Sequence, residues 1–415
     1  MSESNVVQIE RLACSEDPLT EMLRRDAKKL LMKALEAEVA EYMAIYEGVA
    51  DSQGRAAVVR NGYHPEREIL TGIGPVTAKV PKVRSRTDEP AVFHSALVPP
   101  YVRKAKSVEA AIPWLYLKGI STGQMQAALE VLVGPDAKGL SPAVVSRLKK
   151  VWLDEYLAWG RERLDTQTWV YLWADGIYSG LRAESQKLCL LVVVGVNEAG
   201  EKHFLAIEDG VRESTQSWRE VLLDLKSRGL NAPALGVADG ALGFWGALDE
   251  VFPETRHQRC WKHKTANVLN YLPKLAQPRA KEAIHDIWMA ERKDDAEKAF
   301  DLFIEIYEDK YPRAAGCLKK DRADLLAFYD FPAAHWQHIR TTNPIESTFA
   351  TIRHRSKLAK GCVTRQTMLA MAYKLGMSAE KNWRRLRGFD HLAKVITGVK
   401  FKDGIEIENQ DRSAA

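Results

Sequence analysis

The sequence predicts a multidomain α+β protein with a mixed β-sheet near its centre. The chain has 415 residues, enough for two or three domains with real cores. Its apolar residues follow a helical period over residues 20–48 and 105–156, and extended apolar runs separated by turns and helices follow from Asp165. The hydrophobic fraction of 46% and the charged fraction of 28% are those of an ordinary globular protein, which excludes a disordered or fibrous chain.

The first region, residues 1–104, is expected to combine a long helix with a β-hairpin. Residues 20–48 carry one apolar stripe at helical spacing, with Gly48 as the stop signal. The stripe consists of Leu23, Ala27, Leu30, Leu31, Ala34, Leu35, Val39 and Tyr42. The runs "REILTG" and "VTAKVPKVRS", joined by "IGP", predict a small hairpin whose outer face is cationic.

Residues 105–160 read as three helices, the second and third capped by Ser121 and Ser141. The last helix carries three cations: Arg147, Lys149 and Lys150. Two short helices joined by a turn are typical of a helix-turn-helix that binds DNA. A small helical bundle without that role produces the same pattern.

The region 165–262 has the element order β-β-β-α-β-α-β, which is that of a ribonuclease-H-like domain with a mixed sheet flanked by helices. The first three strands should form an antiparallel meander. An all-α insertion is expected over 263–338, and the core should resume with C-terminal helices over 339–400. Residues 401–415 read as a frayed tail.

Two aspartates follow strongly apolar strands of this region. Asp175 is the next-to-last residue of "WVYLWADG", and Asp239 is the next-to-last residue of "ALGVADG". Acids at the carboxyl ends of strands lie where open α/β sheets place their ligands. The alternative for each Asp-Gly is simple turn chemistry. The segment "DGIYSGLRAESQ" is too long for a tight hairpin, which favours a site at Asp175.

Glu346 lies in "TTNPIESTFATIRHR" and has two interpretations. In the first, Asn343 caps a helix, Pro344 occupies its first position, and Glu346 closes a capping box on the Asn343 N–H. In the second, Glu346 is a third carboxylate, if this helix packs beside the strand ends.

Three convergent carboxylates cannot all stay ionised without compensating charge, which divalent cations provide. Mg²⁺ takes hard oxygen ligands, and two ions about 4 Å apart support in-line displacement at phosphorus. If Glu346 joins Asp175 and Asp239, the expected cofactor is two Mg²⁺ ions, which Mn²⁺ can replace.

Positive charge is concentrated near Glu346, although the whole chain has a formal net charge of only +5. Ten Lys or Arg residues and a single acid, Glu380, lie between Thr351 and Arg387. Such a run is either a solvated face or a phosphate-binding surface. The residues expected to contact DNA here are Asn343, Arg353, Arg355, Lys357 and Lys360.

Four motifs together carry a family resemblance: "ADGIY", "VADGALGFWGAL", "RHQRCWKH" and "TTNPIESTFATIRHR". In this order and spacing the chain resembles the Mutator-type (MULE-like) transposases of bacterial insertion sequences, from about residue 20 to 395. The stretch "RNGYHPEREILTGIGPVTAKVPKVR" is similar to the DNA-binding part of the same family. The resemblance implies that Asp175, Asp239 and Glu346 form a DDE triad that binds the catalytic metal ions.

Two further constellations are less specific. Cys260 and His263 have a spacing that suits zinc, but no second pair accompanies them. The resemblance marks this Cys-x-x-His pair as characteristic and places it at the active-site floor, beside Asp175; a contact of His263 with the scissile phosphate is the alternative. Trp288 and Trp336 are either core residues or platforms for unpaired bases.

The resemblance implies an enzyme that binds terminal inverted repeats, cleaves DNA to leave a 3′-hydroxyl, and joins that end to target DNA. The alternatives are a ribonuclease-H-like structure-specific nuclease or resolvase, and a catalytically idle DNA-binding protein derived from a transposase. The expected partners are double-stranded DNA and a second copy of the chain, with residues 20–48 as a candidate contact. Without a membrane-spanning run, a signal peptide or paired cysteines, a cytoplasmic protein associated with the nucleoid is expected.

Overall fold

The computed structural model describes most of the chain. The chain divides into two compact units, Met1–Ser146 and Arg147–Ala415. The division falls inside the third helix of the predicted 105–160 region. The described residues are 17–117, 119–120, 124–133, 142–179, 188–210, 212–240, 242–346, 349, 352 and 364–407.

The first unit contains a long helix, four short strands and two further helices. They are α1 (Pro18–Ala44), β1 (Val58–Tyr63), β2 (Arg67–Thr71), β3 (Gly74–Ala78), β4 (Pro81–Ser85), α2 (Lys106–Leu117) and α3 (Met125–Val133). The predicted hairpin is confirmed as the antiparallel pair β2–β3. Its second run is not one strand, because β4 pairs with β1 instead. Pro81, which has no N–H to donate, begins the new strand.

Helix α1 contains the whole predicted apolar stripe but buries only part of it. Leu35 and Val39 are fully buried against the two small sheets. Leu23 and Leu30 are 44% and 68% exposed. The stripe is therefore a core face in its C-terminal half, and its N-terminal half faces solvent in the single chain.

The three helices predicted for 105–160 are present as α2, α3 and α4 (Pro142–Trp159). Their expected caps, Ser121 and Ser141, lie outside the described residues. On α4, Arg147 and Lys150 are exposed and Lys149 is half-buried.

The second unit is built on one mixed sheet of five strands in the order β7-β6-β5-β8-β9. These strands are β5 (Trp169–Ser179), β6 (Leu188–Asn197), β7 (Lys202–Gly210), β8 (Leu235–Ala238) and β9 (Arg256–Arg259). The antiparallel meander β5–β6–β7 is confirmed. Strand β8 runs parallel to β5, and β9 runs parallel to β8.

Helices α5 (Thr215–Ser227) and α6 (Leu242–Val251) contribute to a core cluster of the unit. Trp218 and Leu222 of α5 are buried with Phe244 of α6 and with sheet residues such as Leu191 and Val193. Ser214 caps α5 by accepting a hydrogen bond from the Ser217 N–H. This cluster is the main apolar support of one face of the sheet.

Beyond β9 the described residues form helices and their connections, as the sequence predicts, until a short hairpin at Phe401–Glu406. The helices are α7 (Trp261–Leu269), α8 (Gln277–Met289), α9 (Lys293–Tyr307), α10 (Pro312–Lys319), α11 (Arg322–Leu325), α12 (Trp336–Ile339), α13 (which contains 343–346, 349 and 352), α14 (Arg365–Glu380) and α15 (Leu392–Ile396). None of the helices in the described part of the chain has the length and apolarity needed to cross a membrane.

The predicted frayed tail is wrong for residues 401–406. Strands β10 (Phe401–Lys402) and β11 (Ile405–Glu406) pair antiparallel. Their turn is held to the insertion because the Gly404 N–H donates to the Tyr329 carbonyl and the Ala333 N–H donates to the Gly404 carbonyl. The remainder of the tail, 408–415, lies outside the described residues.

A pair of neighbouring leucines on α5 tests the core assignment. Leu222 is fully buried, whereas Leu223 is 49% exposed. We expect Leu222→Ala to lower the free energy of unfolding of this unit by about 2–5 kcal/mol, because it leaves a cavity in the core. The matched Leu223→Ala should change it by less than about 0.5 kcal/mol. Urea denaturation followed by circular dichroism measures both, and equal effects would contradict the packing described.

Candidate active site

Asp175 and Asp239 lie beside each other at the edge of the second unit's sheet that is formed by the carboxyl ends of its parallel strands. Ala174 of β5 is the register partner of Ala238 of β8, and the two strands are parallel, so the next residues on both strands are the aspartates. Asp175 is buried, and one of its carboxylate oxygens accepts from the Gly176 N–H at 2.9 Å. The register of these two strands therefore brings the two predicted aspartates next to each other.

Asp175 does not end its strand, contrary to the prediction. Strand β5 continues to Ser179, and Asp175 itself pairs with Val192 of β6. The partner that ends here is β8, whose last residue is Ala238. Asp175 therefore lies where β5 loses its parallel neighbour, which opens the sheet beside its side chain.

The main chain of Asp239 is fixed by two donors. The indole N–H of Trp245 and a guanidinium N–H of Arg259 both donate to the Asp239 carbonyl, at 3.0 and 2.9 Å. The turn after β8 is thus anchored to helix α6 and to strand β9. This anchoring sets the direction in which the Asp239 side chain leaves the sheet.

Glu346 does not form the capping box that its local sequence allows. Its carboxylate is paired with the ammonium of Lys262 in α7. The Asn343 N–H donates to Thr341 Oγ1 instead, and the helix begins at residue 343, one position before the predicted Pro344. The Glu346 Oε1 atom is buried and has no hydrogen-bond partner. Glu346 is therefore committed to a tertiary site, with one oxygen unused.

The first turn of α7 connects the aspartates to the start of α13. The Cys260 N–H donates to the Ala238 carbonyl, one residue before Asp239, at 2.8 Å. The Thr342 N–H donates to Cys260 Sγ at 3.4 Å, and Thr342 Oγ1 lies 3.5 Å from His263 Nδ1. These contacts, together with the Lys262–Glu346 pair, hold α13 against the same edge of the sheet.

Cys260 and His263 form a polarised pair within this junction. The hydrogen bond with Cys260, whose sulfur accepts from the protonated imidazole, raises the pKa of His263 to about 9, and the charges of Asp175 and Asp239 add to this effect. Burial alone raises the pKa of the Cys260 thiol, but the hydrogen bond and charge of His263 outweigh it, so that the net pKa is lowered. Both shifts favour the imidazolium form of His263, on which the charges of the two aspartates act.

Sequence reasoning missed one acid, Glu213. It lies between β7 and α5, and burial followed by the charges of Asp239 and Asp175 raises the pKa of its carboxyl to about 7. Strand β7 runs parallel to β5, because each is antiparallel to β6, so its carboxyl end meets the same edge of the sheet. Applying the strand-end rule to β7 as well would have found this residue.

Within the described ranges, no three His, Cys, Asp or Glu side chains are close enough together to hold a metal ion. The donor set nevertheless suits Mg²⁺, because Asp175, Asp239 and Glu346 offer only hard carboxylate oxygens. The unused Oε1 of Glu346 leaves a ligand position open, and the Lys262 ammonium already supplies a positive charge beside this carboxylate.

The two tryptophans lie in internal contacts. Trp336 is 9% exposed, and its indole N–H donates to the Phe331 carbonyl at 2.8 Å. Trp288 is half-buried beneath the guanidinium of Arg340, which lies 5.1 Å from its ring centre. These are the contacts of core residues, and base stacking by either ring stays a prediction.

The cationic run is partly neutralised by acids that are distant in sequence. Arg365 pairs with Asp209 at 2.6 Å, and Arg385 pairs with Glu201 at 2.7 Å. Lys374 of α14 pairs with the carboxylate of Glu155 on α4. The cations closest to Glu346 in sequence, Arg353, Arg355, Lys357 and Lys360, lie outside the described residues. Asn343 is exposed at the start of α13.

Comparison with known proteins identifies the family. The family model described as "Transposase, Mutator family" matches residues 2–386. The chain is 51% identical over 282 residues to the transposase for insertion sequence element IST2 of Acidithiobacillus ferrooxidans, an alignment that covers 68% of this chain and 95% of that protein. It is 48% identical over 297 residues to the transposase for insertion sequence element IS6120 of Mycolicibacterium smegmatis, covering 72% and 92%.

The Cys260–His263 pair gives a direct test of the site's electrostatics. The His263 imidazolium should persist as the pH rises past its ordinary pKa of about 6.5 and lose its proton only near pH 9. In Cys260→Ala the pKa of His263 should fall by about one unit or more, because its main partner is gone. A ¹⁵N-histidine NMR titration, assigned with His263→Gln, measures this pKa. Cys317→Ala is the control, and an unchanged pKa in Cys260→Ala would contradict the pairing.

Proposed function

Since the chain belongs to the Mutator family of transposases, we propose that it cleaves DNA at the ends of an insertion sequence and joins the new 3′-hydroxyl to target DNA. The proposed catalytic residues are Asp175, Asp239 and Glu346. The observation that carries this proposal is the β5–β8 register, which sets two carboxylates side by side, with α7 docking Glu346 against the same edge.

The sheet order supports a ribonuclease-H-like core as part of this proposal. Three antiparallel strands are followed by two parallel ones, and the helices α5 and α6 cross between them. The helices after β9 form the insertion, and α13 returns to the edge that carries the aspartates. This topology accounts for carboxylates that lie far apart in sequence but meet at one edge.

Asp175, Asp239 and Glu346 would hold the divalent cations, which supply Lewis acidity for displacement at phosphorus. The chain's own groups prepare the site for that role. His263 and Lys262 place positive charge beside the carboxylates, which reduces the repulsion between them. The buried apolar strands on either side of Asp175 keep the local dielectric low, so these charges act strongly on one another.

One set of carboxylates can serve both chemical steps, because each step is an in-line displacement at phosphorus. Water is the nucleophile in cleavage, and the 3′-hydroxyl that cleavage releases is the nucleophile in joining. The same geometry around phosphorus suits both nucleophiles, so the two steps need no second active site and no covalent bond between protein and DNA.

DNA binding is proposed for the first unit and, as a separate surface, for the cations of α4. Arg147, Lys149, Lys150, Asn343 and the segment 353–360 are the proposed contacts with phosphates. The exposed leucines of α1, among them Leu23 and Leu30, support a homodimer that holds two element ends together.

The catalytic assignment is tested with labelled DNA that carries the element's own ends, in the presence of Mg²⁺. Asp175→Asn and Glu346→Gln should each lower cleavage and strand transfer by more than about 100-fold, since loss of even an outer-shell partner typically costs 10- to 100-fold. Both variants should still bind the DNA in a gel-shift assay. Glu305→Gln, at an exposed position on α9, is the control and should keep full activity.

Full activity of Glu346→Gln would remove Glu346 from the triad. Cleavage without strand transfer by the wild-type chain would favour a nuclease over a transposase. DNA without the element's ends should be neither cut nor joined.

The α4 contacts are tested by the salt dependence of DNA binding. Arg147→Ala and Lys150→Ala should each reduce the slope of log K against log salt by about 1, because each removes one phosphate contact. Fluorescence anisotropy with a short duplex measures this slope. Lys298→Ala, on the exposed surface of α9, should leave it unchanged. An unaltered slope in both α4 variants would contradict a phosphate-binding role for this helix.

A further inference from the structure

Glu213 fills space that is available only because two neighbouring residues are glycines. A Cβ atom at Gly176, the residue after Asp175, would collide with the Glu213 carboxylate. A Cβ atom at Gly243 of α6 would collide with the Glu213 main-chain carbonyl. The backbone and the side chain of Glu213 are therefore both fitted closely into the edge of the sheet, beside the proposed catalytic residues.

The Glu213 side chain is also oriented by a specific partner. Its carboxylate and the Tyr178 hydroxyl share a hydrogen bond, and its N–H lies 3.4 Å from the same hydroxyl oxygen. Tyr178 and Gly176 are alternate residues of β5, so they lie on the same face of the sheet. Neighbouring residues of a strand point to opposite faces, so the Glu213 carboxyl lies behind Asp175, against Gly176, whose N–H holds the Asp175 carboxylate. The charges of Asp239, Asp175 and His263 act on this carboxyl.

Stability of the fold does not require a carboxylate at this position. Helix α5 is capped by the neighbouring Ser214. The described contacts include no ion pair between Glu213 and a Lys or Arg side chain. A third negative group close to Asp175 and Asp239 adds repulsion, which a folded protein tolerates when the site has to attract positive charge.

We propose that Glu213 is a fourth functional carboxylate of this site and that it positions and strengthens the binding of divalent cations by Asp175 and Asp239. This inference rests on the function proposed above. It assigns Glu213 the role of a positioning residue, since its carboxyl acts through the two aspartates. The prediction follows that removing its charge weakens cation binding even when no DNA is present.

The experiment measures Mn²⁺ binding to the full chain by electron paramagnetic resonance, and then the Mg²⁺ concentration that gives half-maximal cleavage. Glu213→Gln should raise the apparent dissociation constant for Mn²⁺ by about 10- to 100-fold, the usual cost of losing a group that supports metal ligands. The half-maximal Mg²⁺ concentration should rise in the same proportion. Glu213→Asp, which keeps the charge, should recover part of the affinity.

Glu220→Gln is the matched control. Glu220 lies on α5, seven residues beyond Glu213, is exposed, and accepts a hydrogen bond from Gln216. Its substitution also removes one carboxylate, at an exposed position outside the site, and should change neither measurement. Circular dichroism confirms that each variant is folded before it is compared.

Gly176→Ala tests the geometry without removing a charge. The added methyl group should push the Glu213 carboxylate aside and weaken Mn²⁺ binding. If it acts through Glu213, the Gly176→Ala and Glu213→Gln double variant should bind no more weakly than the worse single variant, since the two changes then share one cause.

Asp175→Asn separates the two proposals. Wild-type affinity for Mn²⁺ and wild-type Mg²⁺ dependence in Glu213→Gln, with loss of both binding and cleavage in Asp175→Asn, would overturn the role of Glu213 and leave the proposed function intact. Retention of cleavage by Asp175→Asn would overturn the proposed function itself. Weakened Mn²⁺ binding in Glu213→Gln, with the control unchanged, would establish Glu213 as part of the site.

Discussion

The constraint on which the site depends is the parallel pairing of β5 with β8. Aligning Ala174 with Ala238 forces Asp175 and Asp239 to neighbouring positions at the edge of a buried sheet. Carboxylates so placed repel one another, and the low dielectric around them makes the repulsion stronger than at a surface. The neighbourhood must therefore supply positive charge, and most of the structure around this edge can be understood as the means of supplying it.

Helix α7 is the element that supplies it. It begins directly after β9, so its first turn is fixed to the sheet by the bond from the Cys260 N–H to the Ala238 carbonyl. From that turn Lys262 reaches Glu346, while the charges of the aspartates act on His263, which draws its proton affinity chiefly from Cys260. Because Thr342 contacts both Cys260 and His263, the same turn also fixes the start of α13. One short segment thereby joins the sheet, the insertion and the returning helix.

The sequence predicted the order of strands and helices well, because apolar period and turn residues are local signals. It failed where a distant partner decides the outcome. Asp175 was expected to end its strand, but pairing with β6 extends β5 beyond it. Glu346 has the local pattern of a capping box, yet its carboxylate is taken by Lys262, 84 positions away. Glu213 was missed because it lies three residues beyond the end of β7, so the strand-end signal that marks Asp175 and Asp239 is weaker there.

The same lesson applies to charge. Counting along the chain, residues 351–387 form a strongly cationic segment, but Arg365 and Arg385 are neutralised by Asp209 and Glu201 from β7 and the turn before it. Conversely, no acidic run marks the site in the sequence, although four carboxylates, those of Asp175, Asp239, Glu346 and Glu213, come from four separate elements toward one edge. Among the described residues, the positive charges that oppose these carboxylates come mainly from Lys262 and His263. The folded edge is thus more negative than its sequence suggests, which favours the divalent cations that we propose for it.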